Sequence, residues 1–466
     1  MIDHLTSDHA SAPAPPDGSR PATSGAISRE TLLKKGAAAA AGLGLGLAAT
    51  PALASRPTRS SRAPVTLHFA GVRTFAPNGQ SPWPILIAAF EKQNPGIKVE
   101  FIQMQSFSES TTNHEFLVTN LSSGRGNLDV LTGDVIWVPE FYGAGWLLSP
   151  APYVSKADLA GYYPGAVDAV SYLGHLAGIP WFADGGMLYY RRDLLSKYHF
   201  NAPATYDELV HQSKVILAGE RGATPNLTGF LWQGAQAEVV VCDWVEFLGA
   251  FGGSVLNATG QPTMNTSQAN AALTFLHDLI YKYKITPQAV TTMVEEPSRI
   301  PFTQGNAIFL RNWSYVWGLA QDPKESKVVG KVGVAPLPHG AGGHSTSNEG
   351  GFQYMITKST AHPVEAVKLA TFLSSYQSQV YFAKTLGLSP TRPAVLSDPG
   401  VARTQSFLVK LRPIFEHLTP RPVSGKYPQM SLALQADLSA ALSNALPVGQ
   451  ALQDVELRLK EITGQI

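Results

Sequence analysis

Five short stretches hold the side chains best suited to chemistry: "GDVIWVPEF" with Asp134 and Trp137, "PWFADGG" with Trp181, Phe182 and Asp184, "RNWSYVW" with Asn312, Trp313, Tyr315 and Trp317, "NEGGF" with Glu349, Gly350, Gly351 and Phe352, and "SPTRP" with Thr391 and Arg392. Each sets an aromatic ring or a glycine turn beside a carboxylate, an amide or a guanidinium. Alone, each reads first as a core aromatic or a capped turn. Together they suit a sugar. A pyranose has an apolar C–H face that stacks on an aromatic ring and a rim of hydroxyls that both donate and accept. Ionised Asp accepts from such hydroxyls and Arg donates in a fork, in charge-assisted bonds worth about 1.5–3 kcal/mol each. The pocket expected is aromatic-walled, neutral overall and ringed by polar groups.

Strands and helices in alternation must hold these groups. "VTLHFAG" reads as a first strand. "SPWPILIAAFEKQNPGIKVEFIQM" gives a helix stopped at Asn94-Pro95-Gly96 and then a second strand. "NHEFLVTNLSSGRGNLDVLTGDVIW" repeats the helix, turn and strand and ends near Asp134. Such alternation predicts α/β layers with largely parallel sheets, whose ligands sit beyond the strand C-termini. Residues 205–320 are richer in helix, opening with Thr205 and Glu208 in a capping-box arrangement. Amphipathic helices close the chain in "MSLALQADLSAALSNAL" and "ALQDVELRLKEI".

Composition narrows the function. With 35 Lys plus Arg against 34 Asp plus Glu, no net field argues for nucleic acid or an acidic membrane as partner. The single cysteine, Cys242, excludes an intrachain disulfide and a CxxC site, and it reads as a small buried helix residue. The 12 histidines form no HExxH, so no metal or cofactor is expected. Near the N-terminus Arg29, Lys34 and Lys35 precede "GAAAAAGLGLGLAATPALA", an apolar stretch ending in small residues. It reads as an export signal of twin-arginine type in which Glu30 replaces the second arginine, with no lipid-anchor cysteine after it. Residues 55–64 then read as a flexible tether, and no later run is long enough to span a membrane.

In the order and spacing of "LIAAFEKQNPGIKVEF", "LDVLTGDVIWVPEFYGAGWLL", "GIPWFADGGMLYYRRDLL", "FTQGNAIFLRNWSYVW" and "GLSPTRPAVL", residues 65–466 resemble the extracellular solute-binding proteins of ABC-type sugar importers, in particular their trehalose/maltose-binding branch. The resemblance implies a two-lobe α/β periplasmic-binding-protein fold of type II, with a ligand cleft between lobes joined by hinge crossings. The division it implies is an export signal at 1–54, the tether at 55–64, lobe 1 at 65–183, lobe 2 at 184–350, a return to lobe 1 at 351–392, and C-terminal helices at 393–466, mainly with lobe 2. It makes Asp134 and Asp184 hydroxyl acceptors, Trp313 and Tyr315 stacking or rim groups, Gly350 and Gly351 a close-approach backbone, Phe352 a platform and Arg392 a fork. Phe182 stands where the family often has Tyr, and Phe352 where it often has Trp. Asn113 and His114 lie where an arginine is common. Trp181, Glu238 and Glu349 are further candidates. The implied protein is an exported monomer that takes a disaccharide or short oligosaccharide to membrane permease subunits. Two other functions stay open: an exported glycoside hydrolase using Asp134 and Asp184 as paired carboxylates, and a sugar-sensing module that has lost import.

Overall fold

The computed structural model describes residues 64–74, 80–124, 127–410, 414 and 418–465. The expected export signal, and the tether apart from Pro64, lie outside them. The apolar run Val65–Arg73 forms strand β1, which pairs in parallel with β2 (Ile97–Ser106) and β3 (Val130–Asp134). Between β1 and β2 the helix Trp83–Gln93 ends at Asn94, whose backbone N–H donates back to Phe90 O and Glu91 O. A small hairpin follows, β4 (Ser171–Tyr172) and β5 (His175–Leu176).

The chain then runs through β6 (Ile179–Gly185) and β7 (Met187–Arg191), with only Gly186 between them, yet the two strands belong to different sheets. β7 pairs with β9 (Ala307–Asn312) and β10 (Val332–Ala335), and β9 also pairs with β8 (Thr228–Leu231). From β10 the chain returns to the first sheet as β11 (Ser347–Ile356), which pairs with β3, β6 and the short β12 (Leu418–Thr419). β11 joins the first sheet from Ser347, ahead of the boundary expected at 350. Both sheets are mixed rather than largely parallel. β11 runs antiparallel to β3 and β6, and β7 runs antiparallel to β9 and β10, because these strands carry the chain across and back.

Two apolar clusters form the core, the first reaching into the second sheet through Met187, Tyr189 and Leu310. Leu67, Phe69, Val130, Leu131, Trp83, Tyr354 and Met355 pack around the first sheet. Leu188, Phe230, Ile308 and Phe309 of the second pack with Trp244, Phe247 and Leu273 of the helices Glu238–Ala250 and Ser267–Tyr281, and with Leu434, Leu438 and Leu452 of the C-terminal helices Tyr427–Leu442 and Val448–Thr463. The capping box at Thr205 is present in both directions: Glu208 N–H donates to Thr205 Oγ1, and Glu208 Oε2 accepts from the Thr205 N–H. Among the described residues no helix is long and apolar enough to cross a membrane.

Candidate functional site

A cavity of about 660 Å³, counting its mouth, lies where elements of both sheets face each other. The first sheet contributes Phe107, Ser108 and Ser110 after β2, Asp134 at the C-terminal end of β3, Phe182 and Asp184 from β6, and Gly350, Gly351 and Phe352 from β11. Opposite stand Glu238, Val239 and Cys242 of the helix Glu238–Ala250, Glu295 of the helix Glu295–Thr303, and Trp313 and Tyr315 after β9. Arg421, on the segment between β12 and the helix Tyr427–Leu442, and Leu388 complete the lining.

Strand periodicity decides what β6 presents. Successive side chains point to opposite faces, so Phe182 and Asp184 share the cavity face. Trp181 takes the other face, fully buried with its ring 5.2 Å from those of Trp83, Tyr354 and Phe382. Phe182 stacks on Phe352 at 6.0 Å and 11°, and Phe107 stands edge-on to both at 5.6 and 5.1 Å. The three rings form one apolar wall. Gly351 makes the Phe182–Phe352 approach possible: its φ is +121°, and a Cβ there would lie 2.3 Å from the Phe182 carbonyl oxygen.

The polar groups are unevenly matched. Asp184 accepts from the backbone N–H of Gly185 (2.9 Å) and Ser314 (3.2 Å) and from Ser314 Oγ (3.0 Å). Burial nevertheless pushes its pKa up to about 7 against those bonds. Arg421 Nη1 donates to Glu238 Oε1 at 2.8 Å, and its Nη2 donates to Asp134 Oδ1 at 3.3 Å and to the Glu349 carbonyl oxygen at 3.2 Å. Burial raises the Asp134 pKa too, with Arg421 pulling it back. Glu238 also accepts from Tyr427 Oη and Ser431 Oγ. Glu295 Oε1 accepts from Trp313 Nε1 at 3.3 Å, and Tyr315 Oη donates to Glu296 at 2.7 Å. Glu295 Oε2 and Arg421 Nε are buried without a hydrogen-bond partner. Ser108 Oγ lies near enough to Glu295 to oppose slightly the rise that burial causes in its pKa, but makes no well-formed hydrogen bond.

Four expected site residues are not brought to this cavity. Arg392 lies over the Tyr162 ring, 3.8 Å from its centroid, and donates from Nε to Ser374 O at 2.9 Å. Gln379 Oε1 accepts the backbone N–H of both Thr391 and Arg392, which fixes that loop and turns the guanidinium away. Asn113 ties its helix to β2, accepting from Gln105 N and donating to Ser106 O, both at 2.9 Å. Trp181 belongs to the core. The Glu349 side chain faces a second hollow of about 430 Å³ with Asp168, Pro420 and Pro422, which Arg421 also lines. Carboxyls outnumber cations in the lining, which sets Asp134, Asp184, Glu238 and Glu295 against Arg421.

The profile of the bacterial extracellular solute-binding proteins matches residues 76–380. The chain belongs to that family. A Deinococcus radiodurans protein described as a probable ABC transporter-binding protein is 33% identical over 375 residues, 79% of this chain and 88% of that one. The solved structure of T. maritima MalE3 with maltose bound is 38% identical, covers 86% of this chain and 100% of its own, and superposes with a TM-score of 0.80. An ABC-transporter solute-binding protein of Thermotoga lettingae, bound with α-D-tagatose, shares the two-domain fold at 24% identity and a TM-score of 0.74, over 85% of this chain and 99% of that one.

In this solute-binding protein Phe107, Ser108, Ser110, Glu295, Leu388 and Arg421 were not foreseen as site residues. Arg421 stands between two prolines in "TPRPVS", a rigid local context that marks it only in hindsight. Cys242 is buried in its helix as expected, and it also lines the cavity. The raised carboxyls give the solute-binding protein a pH signature. Asp184 and Glu349 both rise to about 7, chiefly by burial, from ordinary values of 3.8 and 4.5. Between those limits the folded protein holds protons that the unfolded chain has released. Their contribution to stability is therefore complete below about pH 4 and is lost as pH rises through 7. Denaturant unfolding of the ligand-free protein at pH 5 and pH 8 is expected to show the lower stability at pH 8, with a slope of at most about 1.4 kcal/mol per pH unit per group.

Proposed function

We propose that this protein captures a disaccharide or short oligosaccharide of trehalose, maltose or sucrose type outside the membrane and delivers it to the permease subunits of an ABC importer. The observation that carries this reading is the pairing of aromatic walls with unsatisfied polar atoms in one cavity. Phe182, Phe352 and Trp313 offer flat apolar faces, while Glu295 Oε2 can accept from a ligand hydroxyl and Arg421 Nε can donate to one. A buried polar atom left unpaired costs about 1–3 kcal/mol, and ring hydroxyls would remove that cost.

The maltose-bound relative at 38% identity supports a sugar as ligand. Family membership and the signal-like N-terminus support a place outside the membrane. Closure of one sheet's domain on the other would bend at the crossings, of which Gly186 is the shortest. The hydrolase reading gains nothing from the geometry, because Asp134 and Asp184 are both engaged by protein donors.

A thermal-shift series with trehalose, maltose, sucrose and their constituent monosaccharides tests the reading. At a hundredfold excess over Kd a ligand adds about 2.7 kcal/mol to the native state, so one disaccharide class is expected to raise the midpoint by several degrees. Unchanged midpoints across the whole series would contradict it.

A further inference from the structure

The charge around the cavity does not close. Of the lining side chains, Asp134, Asp184, Glu238 and Glu295 are acidic and only Arg421 is basic. Arg421 is already shared by Glu238 and Asp134, at 2.8 and 3.3 Å. The next cation, Arg311, lies behind the Trp313 ring, 4.1 Å from its centroid, and is itself shared by Asp243 at 2.9 Å and Glu246 at 2.6 Å. Arg311 pulls the pKa values of Asp184 and Glu295 down a little from a distance, but its ion pairs are with Asp243 and Glu246.

Asp184 is bonded to Ser314, and Glu295 to the indole N–H of the preceding residue, Trp313. Both are more than nine-tenths buried; Glu295 lines the cavity, and its Oε2 makes no hydrogen bond. Burial of a carboxylate without a counter-charge is costly, and the group responds by holding its proton. Asp184 and Glu295 show that response in raised pKa values. A ligand ammonium would supply the missing charge.

Resting on the sugar-capture reading, we propose that the ligand is an amino sugar or an aminocyclitol-bearing saccharide whose protonated nitrogen pairs with Glu295 beside Trp313. Glu295 is then the residue that separates aminated from neutral saccharides, with its Oε2 as the free acceptor. Arg421, at the Asp134 and Glu238 side, is left to donate to hydroxyls.

Calorimetric titration at pH 7 of the full chain with trehalose and maltose, and with the 2-amino-2-deoxy and 6-amino-6-deoxy analogue of each, tests this. At least one amine analogue is expected to bind tenfold or more tighter than its parent, and Glu295→Gln is expected to shrink that ratio. Amine analogues that bind no tighter than their parents would overturn the proposal while leaving sugar capture standing. If neither parents nor analogues bind, both fall. The wild-type comparison decides by itself should Glu295→Gln not fold, and an undiminished ratio in a folded Glu295→Gln would remove Glu295 from the role.

Discussion

Gly186→Ala is expected to destabilise the protein by about 3 kcal/mol or more, read as a lower denaturant midpoint. Gly186 is the single residue between β6 of the first sheet and β7 of the second. A Cβ there would sit 1.9 Å from Glu246 Oε1 and 2.8 Å from Arg311 Nη2, both fully buried. Arg311 is held by Glu246 through two bonds of 2.6 Å and by Gln233 Oε1 at 3.1 Å. Glu246 Oε1 also accepts the Asn348 N–H, while Ser347 Oγ donates to the Gly186 carbonyl oxygen. One buried ion cluster thus touches both the outgoing crossing and the start of the returning strand β11. A methyl at Gly186 has to displace ions that have nowhere else to be solvated, which is why this substitution should outweigh an ordinary overpacked core position. An unchanged midpoint would mean that the crossing can move aside freely.

Arg421→Met is expected to cost about 3–5 kcal/mol near neutral pH, the range for removing one partner from a buried ion pair. It would leave Asp134, at the end of β3, and Glu238, at the start of its helix, without their shared counter-charge. Protonating a buried carboxylate removes the uncompensated charge. The deficit relative to wild type should therefore be largest at pH 8 and shrink towards pH 5, as chemical denaturation at the two pH values would show. A deficit independent of pH would point to lost packing rather than lost charge. Sugar affinity should fall as well, because Arg421 supplies the only guanidinium among the cavity-lining residues.

Local pattern exposed the parts of this protein that local rules govern. The strand "VTLHFAG", the helix stopped at Asn94 and the Thr205 capping box each depend on residues within a turn or two, and each is present. "LDVLTGDVIW" is shorter as a strand than its apolar run suggests, because Asp134 accepts the Ile136 N–H and winds Val135–Trp137 into a 3-10 turn. Phe182 and Asp184 were legible because a two-residue spacing on a strand puts them on one face, and the same rule removes Trp181. Arg421 was not legible. Its partners lie 183 and 287 residues away, and no short window contains that meeting. Arg392 failed for the opposite reason: a conspicuous motif names the residue, but Gln379, 12 to 13 residues earlier, decides where it points. Glu295 hides in "VEEPS", where its neighbour Glu296 pairs with Arg299 and faces elsewhere. The acidic excess of the cavity was invisible in a chain whose total charge nearly balances.

The most direct test is a calorimetric titration of wild type and Asp184→Ala, side by side, with the saccharide that gives the largest thermal shift. Asp184 lies on the cavity face of β6 at the junction of the two sheets, and its loss removes an acceptor and releases the Ser314 N–H and Oγ without opening either core. Wild type should bind with one site per chain, and Asp184→Ala should lose a hundredfold or more in affinity while still unfolding cooperatively. Equal affinity in the two proteins would show that the sugar, if one binds, does so elsewhere.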